Sequence, residues 1–507
     1  MFGLKRKYFL AIVNAIILIC IIFLKPVNGQ IRPDFLLVTE GRTNLFHIAY
    51  DSRERLQATW GSNGVYYGIF DSLGYPIRPT QIITTTNYAI GSPRLAFRND
   101  YLVVVWSEAV FSFNSFIFGQ LLTIDGDLLY SNFVVNDSFY DSARGMTDAA
   151  FLNDTTFIVV WSGDGPPPGN SVWGQLVTTS LQFIGNNIPL SDHSINYTRH
   201  NNSRVLILNE FSDFVVVWRD DHSGSRKVYG RLFFSNGTPK DSSFIISENP
   251  QLIDVWFVSA DADHYGNFAV VWGGEIDTAI DTVGIIQWRR FQSDGTPLGP
   301  SAKVNTEYVS KYASVDIAFD RDGKSVVVWK QRENSFLRVF GQRFLTGGMP
   351  LGGNYQISTL PDTTHHNFPS VTLLNGKICT VWRENEASDL WANIIDFNKP
   401  PVGIKNRNNN FSQYFRLFQN YPNPFNSMTL IKYILPPGRE NKNVELTIYN
   451  LRGQKVITLI NKRQSMGEYT VRWDGRNSSG NRVPSGIYFA RLISGTFAQT
   501  RKMVFIR

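Results

Sequence analysis

The stretch Phe214-Val215-Val216-Val217-Trp218 is a short apolar run that ends in Trp and is followed at once by charged residues. Runs rich in β-branched and aromatic residues favour a buried β-strand. The short apolar run that ends in Trp occurs seven times in residues 45–397, as Leu56–Trp60, Leu102–Trp106, Phe157–Trp161, Phe214–Trp218, Phe268–Trp272, Ser325–Trp329 and Lys377–Trp382. The successive Trp residues are 46, 55, 57, 54, 57 and 53 positions apart, which leaves room for four strands and their turns in every repeat.

Each repeat contains further strands around its Trp run. A strand before the run ends at a turn signal such as Asn99-Asp100 or Asp322-Gly323, and such residues supply the positive φ angles of tight hairpins. A third strand, such as Phe118–Leu121, and a fourth, such as Phe244–Ser247, follow in the same order. Four antiparallel strands in each of seven repeats predict an all-β fold, a seven-bladed β-propeller.

The last repeat predicts how the ring closes. After Trp382 it has a third strand, Leu390–Phe397, but no fourth, because a Pro- and Asn-rich segment follows. Residues 35–40 resemble the fourth strands of the other repeats, for example Phe244–Glu248. We therefore expect residues 35–40 to complete the seventh blade, since an open ring would leave two blade faces exposed.

The seven Trp residues of the repeats have two interpretations. They are Trp60, Trp106, Trp161, Trp218, Trp272, Trp329 and Trp382. Their equivalent positions favour packing between blades, which needs one large side chain per interface. An aromatic stripe that contacts a ligand is the alternative.

The chain of 507 residues is long enough for two or more domains, and its charge is unevenly distributed. Residues 30–397 contain 27 Lys and Arg against 38 Asp and Glu, whereas residues 411–507 contain 15 basic against four acidic residues. The large domain is therefore acidic, and its field would repel phosphate. This excludes nucleic acid as its expected partner.

The N-terminus is typical of a secretory signal peptide. Lys5, Arg6 and Lys7 precede the apolar run Phe9–Leu24, and cleavage is expected near Gly29. The run is shorter than the roughly 20 residues of a membrane span, so cleavage is favoured over a retained anchor. Removal of residues 1–29 would leave Cys379 as the only cysteine, which favours a small buried apolar role over that of a nucleophile.

The C-terminal segment, residues 415–507, follows a linker at residues 398–414 and shows the short alternating strands of a small Ig-like β-sandwich. It begins with Leu417-Phe418-Gln419-Asn420-Tyr421-Pro422-Asn423-Pro424-Phe425-Asn426. Further along come the motifs Ile448-Tyr449-Asn450-Leu451-Arg452-Gly453-Gln454, Tyr469-Thr470-Val471-Arg472-Trp473-Asp474-Gly475, Ser485-Gly486-Ile487-Tyr488-Phe489 and Thr500-Arg501-Lys502-Met503. In this order they resemble the type A C-terminal sorting domain of the type IX secretion system. One departure is Ser427, where the family commonly has Pro.

The resemblance implies a function that the residues alone do not. It implies secretion across the outer membrane, with the type IX machinery as partner and the basic surface of the domain as a candidate contact. From the residues alone, Pro422 and Pro424 predict a rigid extended lead-in, and the domain could equally be an accessory sandwich that binds an extracellular ligand. The Trp473-Asp474-Gly475 region also resembles the Ig-like domain of flagellar hook-capping proteins.

Candidate ligand-binding residues follow the Trp runs of the propeller. The loops expected there contain acidic residues, namely Glu108, Asp164, Asp220, Glu275, Glu333 and Glu384. They are interpreted either as a charged rim that binds cations or sugar hydroxyls, or as solvated loop charge, which is the favoured interpretation.

Neither a resident metal nor a catalytic motif is predicted. Asp261–Gly266 resembles the start of a calcium loop but lacks the downstream Glu, so calcium is only a weak candidate, and His365-His366 has no cluster of Cys or His nearby. The Gly-x-Ser-x-Gly elbow, the His-Glu-x-x-His motif and a phosphate-binding Gly loop are absent from the sequence, so no catalytic residue is assigned. A pair of carboxylates that meet only in space remains open.

The expected protein is therefore secreted or displayed on the cell surface by way of the periplasm. The propeller is expected to bind an extracellular carbohydrate or protein. A glycan-active hydrolase or lyase is the alternative, and it would need carboxylates with an adjacent Arg or Tyr to converge at the mouth of the central channel.

Deletion of residues 415–507 tests the sorting assignment. In a host with the type IX system, the truncated protein is expected to accumulate in the periplasm, because passage through the outer membrane would lack its signal. Immunoblots of periplasm, cell surface and medium measure the distribution. A periplasmic reporter fused to residues 415–507 is the control and should gain export, whereas truncated protein in the medium would contradict the assignment.

Overall fold

The computed structural model describes residues 30–38, 46–84, 89–111, 114–136, 147–164, 170–192, 201–220, 225–277, 282–333, 336–359, 365–384, 389–399, 416–420, 422–435, 442–464, 467–495 and 497–506. These residues form strands and no helix, so this part of the chain contains no helix that could cross a bilayer. The predicted signal peptide, residues 1–29, lies outside the described residues. The chain divides into two compact units, residues 1–404 and 405–507.

The described residues of the first unit form 29 strands, which are arranged in seven blades. The strand β1 is Gln30–Val38. Blade 1 contains β2 (Phe46–Tyr50), β3 (Leu56–Gly61), β4 (Val65–Phe70) and β5 (Gln81–Ile82). Blade 2 contains β6 (Ala89–Ile90), β7 (Arg94–Arg98), β8 (Tyr101–Phe111), β9 (Asn114–Thr123) and β10 (Phe133–Val134). Blade 3 contains β11 (Asp148–Phe151), β12 (Thr156–Asp164), β13 (Asn170–Thr178) and β14 (Phe183–Pro189). Blade 4 contains β15 (Asn201–Ile207), β16 (Phe214–Asp220), β17 (Lys227–Phe233) and β18 (Phe244–Ile245). Blade 5 contains β19 (Leu252–Ala262), β20 (Phe268–Asp277), β21 (Thr282–Phe291) and β22 (Ala302–Lys303). Blade 6 contains β23 (Val315–Phe319), β24 (Ser325–Glu333), β25 (Phe336–Phe344) and β26 (Pro350–Gln356). Blade 7 contains β27 (His366–Leu374), β28 (Lys377–Glu384) and β29 (Asp389–Asp396).

The blades form a closed ring, so this unit is a seven-bladed β-propeller. Within each blade the strands pair antiparallel in chain order, and blade 2 adds the short β6 beside β8. The first long strand of each blade (β2, β7, β11, β15, β19, β23 and β27) contacts that of the next blade, and β27 contacts β2. We call these seven the inner strands, because together they surround the central channel.

The fourth strand of blade 7 is β1. It pairs antiparallel with β29, with Phe35 opposite Ala392 and Val38 opposite Leu390. The predicted closing strand, residues 35–40, lies in β1 as far as Val38, and residues 39 and 40 lie outside the described residues. The first described residues of the chain thus complete the last blade.

Asp and Asn side chains stabilise the hairpins that the sequence predicted. Asp263 Oδ1 accepts hydrogen bonds from the backbone N–H groups of Tyr265 (3.0 Å) and Asn267 (2.9 Å). Gly266 has a φ of 77°, and a Cβ there would lie 1.4 Å from the carbonyl oxygen of Leu208 in blade 4. Residues 263–266 therefore form a hairpin turn that packs against the neighbouring blade, whereas Asp261 and Ala262 are the last residues of β19.

Each interface between neighbouring blades contains its own apolar cluster and one of the seven Trp side chains. The clusters lie between blades 1 and 2, 2 and 3, 3 and 4, 4 and 5, 5 and 6, 6 and 7, and 7 and 1. All seven indoles are 0% exposed, and each lies in the interface with the preceding blade. Replacing a buried Trp by Ala costs about 3–5 kcal/mol in a typical core, so packing between blades accounts for these positions.

The second unit contains seven strands in two sheets. In chain order they are β30 (Arg416–Leu417), β31 (Thr429–Leu435), β32 (Lys442–Asn450), β33 (Lys455–Gln464), β34 (Gly467–Trp473), β35 (Gly486–Ser494) and β36 (Phe497–Phe505). One sheet has the order β30-β31-β34 and the other β33-β32-β35-β36. Side chains of both sheets, including Ile431, Trp473 and Leu492, share one buried core, which is the arrangement of an Ig-like β-sandwich.

Asp34 offers a test of ring closure. Its Oδ2 accepts hydrogen bonds from Thr359 of the segment after β26 (N 2.5 Å, Oγ1 2.9 Å), and its Oδ1 accepts one from Asn393 Nδ2 of β29 (2.8 Å). Asp34→Ala leaves these donors without their acceptor, so we expect the free energy of unfolding to fall by about 1–3 kcal/mol. Urea unfolding followed by tryptophan fluorescence measures the change.

The matched control is Asp154→Ala. Asp154 forms an exposed ion pair with Arg98 (2.7 Å), and loss of such a pair changes stability by less than about 1 kcal/mol. Equal effects of the two substitutions would contradict a special role of Asp34 in closing the ring.

Candidate ligand-binding site at the channel mouth

A pocket opens where the inner strands begin, at one end of the central channel. Side chains from six of the seven blades line it, among them Phe46, Arg94, Arg204, Phe257, Asp316 and Phe368. We call this pocket and its immediate surroundings the channel mouth. Because so many blades contribute to it, its geometry depends on an intact ring.

Polar side chains of the inner strands connect neighbouring blades below the mouth. Each accepts a hydrogen bond from a backbone N–H of the next inner strand, which would otherwise have no partner at the edge of its sheet. The pairs are His47 Nδ1 with Leu95 N (3.3 Å), Asp148 Oδ2 with Val205 N (3.1 Å), Asp261 Oδ2 with Phe319 N (2.7 Å), Asp316 Oδ2 with Val371 N (3.0 Å) and Thr372 Oγ1 with Tyr50 N (3.2 Å).

Asp316 is the most highly connected of these acceptors. Its Oδ1 accepts a hydrogen bond from Ser259 Oγ of blade 5 (2.6 Å), and its Oδ2 accepts a further one from Ser370 Oγ of blade 7 (3.0 Å). With Val371 N, this buried carboxylate has three donors from two neighbouring blades. These contacts make the Asp316 side chain a structural link between blades 5, 6 and 7.

Two arginines, Arg94 and Arg204, line the pocket. Arg204 is 5% exposed and donates from Nη1 to Ser203 O (3.0 Å). Burial, together with the charge of Arg94, lowers the pKa of Arg204 to about 10, although Asp148 and Asp316 act in the opposite direction. Burial also raises the pKa of Asp148. The two guanidinium groups are therefore close enough to repel each other in a partly desolvated site.

The blade 5 side of the mouth combines an indole, two carboxylates and an arginine. Trp256 Nε1 donates to Glu275 Oε1 (2.7 Å), and Asp254, the cross-strand neighbour of Glu275, pairs with Arg226 (2.7 Å). The Arg226 guanidinium lies 4.1 Å from the centre of the Trp256 ring. Burial raises the pKa of Asp254, and Glu275 adds to the effect while Arg226 opposes it.

Tyr312 extends this cluster. Its ring packs edge to face against Trp256, with centroids 4.3 Å apart, and its side chain remains 51% exposed. The backbone next to Tyr312 lies close to β20. This close approach requires Gly273, since a Cβ there would lie 2.3 Å from Ala313 O. Tyr312 has a φ of 62°, which is uncommon for a bulky residue and is often found at functional sites.

The blade 7 side of the mouth is aromatic and basic. Phe368 also has a positive φ (51°), lies at a β-bulge of β27 and packs edge to face against Phe257 at 6.3 Å. Lys330 Nζ lies 5.9 Å and the Arg383 guanidinium 5.0 Å from the centre of its ring. Burial, then the charge of Arg383, lowers the pKa of Lys330.

The six acidic residues predicted for a rim lie in strands and not in loops, because the second strand of each blade continues past its Trp. Glu108 and Asp220 are 1% and 0% exposed, and Glu275 is 9% exposed. Each of the first two follows its Trp by two positions, and strand periodicity turns it toward the same interface as the indole. Glu333 is exposed and Glu384 half-buried, and the side chain of Asp164 lies outside the described residues. They do not form one rim, and solvated loop charge does not describe Glu108 or Asp220.

Residues of the channel mouth were missed by the sequence analysis, although the sequence contains a signal for them. Arg94, Asp148, Arg204, Asp261 and Asp316 precede the Trp of their repeat by 12, 13, 14, 11 and 13 positions. A polar residue that recurs at this point of an apolar inner strand would indicate a polar channel. None belongs to a catalytic or metal motif, so motif searches overlook them.

The other reactive groups have structural environments. Cys379 is fully buried, and burial raises the pKa of its thiol to about 12. His365 Nδ1 accepts a hydrogen bond from Leu337 N (3.1 Å), and His366 begins β27 and is buried beside Trp382. Among the described residues, no group of three or more His, Cys, Asp or Glu side chains is placed to hold a metal ion.

In the sandwich, the opening motif lies against the last strand. Gln419 Nε2 donates to Lys502 O (2.6 Å), Val504 N donates to Asn423 Oδ1 (2.8 Å), and the buried Phe425 packs on Trp473 and Phe505. The segment 422–428 is not a ladder strand, as its prolines predicted. These motif residues therefore join the two ends of the domain.

The remaining motif residues divide into buried and exposed groups. Asn420, Phe425, Trp473 and Tyr488 are buried, and Gly453 and Gly475 occupy turns with φ of 76° and 72°. Gln419, Pro422, Pro424, Asn426, Asp474, Gly486 and Lys502 are exposed, Asn423 is half-buried, and Tyr421 lies outside the described residues. The exposed group is the part of the motif that another protein can contact.

His366 provides a test of the buried polar environment by pH. Burial, reinforced by Arg338 and His365, lowers its pKa to about 3, whereas the unfolded chain has the ordinary value of about 6.5. Between about pH 3 and 6.5 the unfolded state binds more protons at this histidine than the folded state does. The free energy of unfolding therefore decreases as the pH falls below about 6.5, and this group contributes at most about 1.4 kcal/mol per pH unit. His366→Gln removes this contribution, and urea unfolding between pH 7 and 4 is expected to show a shallower loss than in the wild type. Parallel curves for the two proteins would contradict the shifted pKa.

The family of the FlgD Ig-like domain matches residues 435–493, which lie in the sandwich. No curated protein sequence matches the chain. Three solved structures are similar to it: a protein of unknown function from Dyadobacter fermentans (TM-score 0.43, 10% identity, 73% of this chain and 100% of that chain), the polysaccharide lyase Uly1 (0.42, 8%, 71% and 91%) and the α-L-arabinanase of Penicillium chrysogenum (0.39, 9%, 61% and 95%). These likenesses are too distant to carry an argument about function.

Proposed function

We propose that this protein is an exported binding protein whose propeller recognises a carbohydrate at the channel mouth. The observation that carries the proposal is the cluster of Trp256, Tyr312, Arg226, Asp254 and Glu275. Aromatic rings stack on the apolar faces of sugars, and neighbouring guanidinium and carboxylate groups bind pairs of hydroxyls. The positive φ of Tyr312 supports a functional role, since such backbone strain costs about 1–3 kcal/mol.

The export part of the proposal is supported by the N-terminal segment and by the order of motifs in residues 415–507. The C-terminal domain would direct passage across the outer membrane through the type IX machinery, and the mature protein would be released or displayed on the surface. Its excess of basic residues over acidic ones and the exposed motif residues such as Asp474 and Lys502 are the candidate contact surface.

Glycan-array binding by the purified full chain tests the carbohydrate proposal. Trp256→Ala is expected to weaken binding to any glycan found by about 10- to 100-fold, because a buried aromatic contact at an interface is worth about 1–3 kcal/mol. Phe211→Ala is the matched control, since Phe211 is a 73% exposed aromatic side chain in a hairpin of blade 4, and it should leave binding unchanged. No binding on the array, or equal effects of both substitutions, would contradict the proposal.

A glycan-active enzyme is the second candidate. The carboxylates Asp254 and Glu275 are cross-strand neighbours, and Arg226 and Tyr312 lie near them. A glycan-active enzyme would need such a group of carboxylates with an adjacent Arg or Tyr. The raised pKa of Asp254 suits a general acid. The glycans that bind are incubated with the protein and reducing ends are measured. Cleavage by the wild type that is lost in Asp254→Asn would establish the enzyme, and its absence would leave the binding function.

A further inference from the structure

The pocket at the channel mouth contains polar groups that the protein itself does not satisfy. Arg94 Nε is buried and has no hydrogen-bond partner among the described residues. Ser314, on the opposite side of the pocket, is 4% exposed, and its Oγ also has no partner in the described part of the chain. A buried donor without an acceptor costs about 1–3 kcal/mol, and an acceptor on a bound ligand would remove this cost at both groups.

The acceptor is not supplied by the two carboxylates below the mouth. Asp316 already receives Ser259 Oγ, Ser370 Oγ and Val371 N, and Asp148 receives Val205 N. These contacts hold the carboxylates between inner strands. Burial, then the charge of Arg94, lowers the pKa of Arg204, while Asp148 and Asp316 oppose the shift.

The walls of the pocket favour a small anionic group attached to a ring. Phe46, Phe257 and Phe368 line it beside the arginines, and apolar walls strengthen the attraction between a guanidinium and an anion by lowering the local dielectric constant. Lys330 and Arg383 add positive charge behind Phe368. Arg94 and Arg204 therefore present cationic donors in a domain whose overall charge is negative, and Asp316 also belongs to the pocket lining.

We propose that the channel mouth binds the anionic group of an acidic saccharide, with Arg94 and Arg204 as its cationic partners and Ser314 Oγ as a further donor. Guanidinium groups bind carboxylates and sulfates through paired N–H donors, and the phenylalanine rings would contact the sugar that carries the group. The inference rests on the proposed carbohydrate-binding function and names the class of glycan. A uronic acid and a sulfated sugar share this chemistry.

Calorimetric titration of the full chain with three probes tests the inference. The probes are D-glucuronate, glucose 6-sulfate and, as the neutral control, methyl glucoside. We expect at least one acidic probe to bind at least tenfold more tightly than the neutral sugar, with an affinity that falls as the salt concentration rises. Whichever acidic probe binds more tightly identifies the preferred ligand group, the carboxylate for D-glucuronate or the sulfate ester for glucose 6-sulfate.

Substitutions assign the binding to the pocket. Arg94→Gln is expected to lower the affinity for the acidic probe at least tenfold and to leave the affinity for neutral sugars unchanged. Arg98→Gln is the matched control, because Arg98 lies on the same strand but forms an exposed ion pair with Asp154, and it should have no effect. If Arg94→Gln fails to fold, Ser314→Ala is the second variant to test. It removes a donor that has no partner among the described residues, and it should weaken the binding of the acidic probe only.

The outcomes separate this inference from the proposed function. Glycan binding that is equal for acidic and neutral sugars, or unchanged in both Arg94→Gln and Ser314→Ala, would overturn the anionic site and leave the carbohydrate function intact. Absence of binding both on the array and to the three probes would overturn both.

Discussion

The backbone hydrogen bonds between β1 and β29 hold together parts of the chain that are more than 350 residues apart, as the 359-residue separation of Asp34 and Asn393 illustrates. A propeller without this pairing would have two unpaired blade faces and an exposed sheet edge. Closing so long a loop costs conformational entropy, although the cost grows only slowly with length. Several interactions offset it here: the ladder itself, the three hydrogen bonds of Asp34, and the apolar cluster between blades 7 and 1 around Trp60.

The closed ring in turn creates the polar channel. Inner strands meet only along their edges, so their backbone donors need partners that the sheet does not provide. Side chains such as Asp148, Asp261 and Asp316 supply these partners from the neighbouring blade. Arg94, Arg204 and Asp316 line one pocket to which six blades contribute. Stability and the candidate binding site therefore depend on the same network.

Much of the fold could be predicted because it depends on local patterns. The apolar, β-branched and aromatic composition of runs such as Phe214–Trp218 indicates buried strands, the turn residues mark hairpins, and the missing fourth strand of the last repeat points to residues near the N-terminus. The acidic residues after the Trp runs were placed less well. Glu108 and Asp220 are buried because their strands extend beyond the Trp, and the end of a strand depends on what the neighbouring blade covers, which local pattern does not describe.

The sequence by itself determined the number of repeats, the order of strands within each repeat and the likeness of residues 415–507 to a sorting domain, because these depend on residues that are near one another in the chain. Only the tertiary structure decided which side chains share the channel mouth. Arg94, Arg204, Ser314 and Phe368 belong to four different blades, and no spacing along the chain brings them together. Their proximity results from the closure of the ring, which converts equivalent positions in distant repeats into neighbours around one axis.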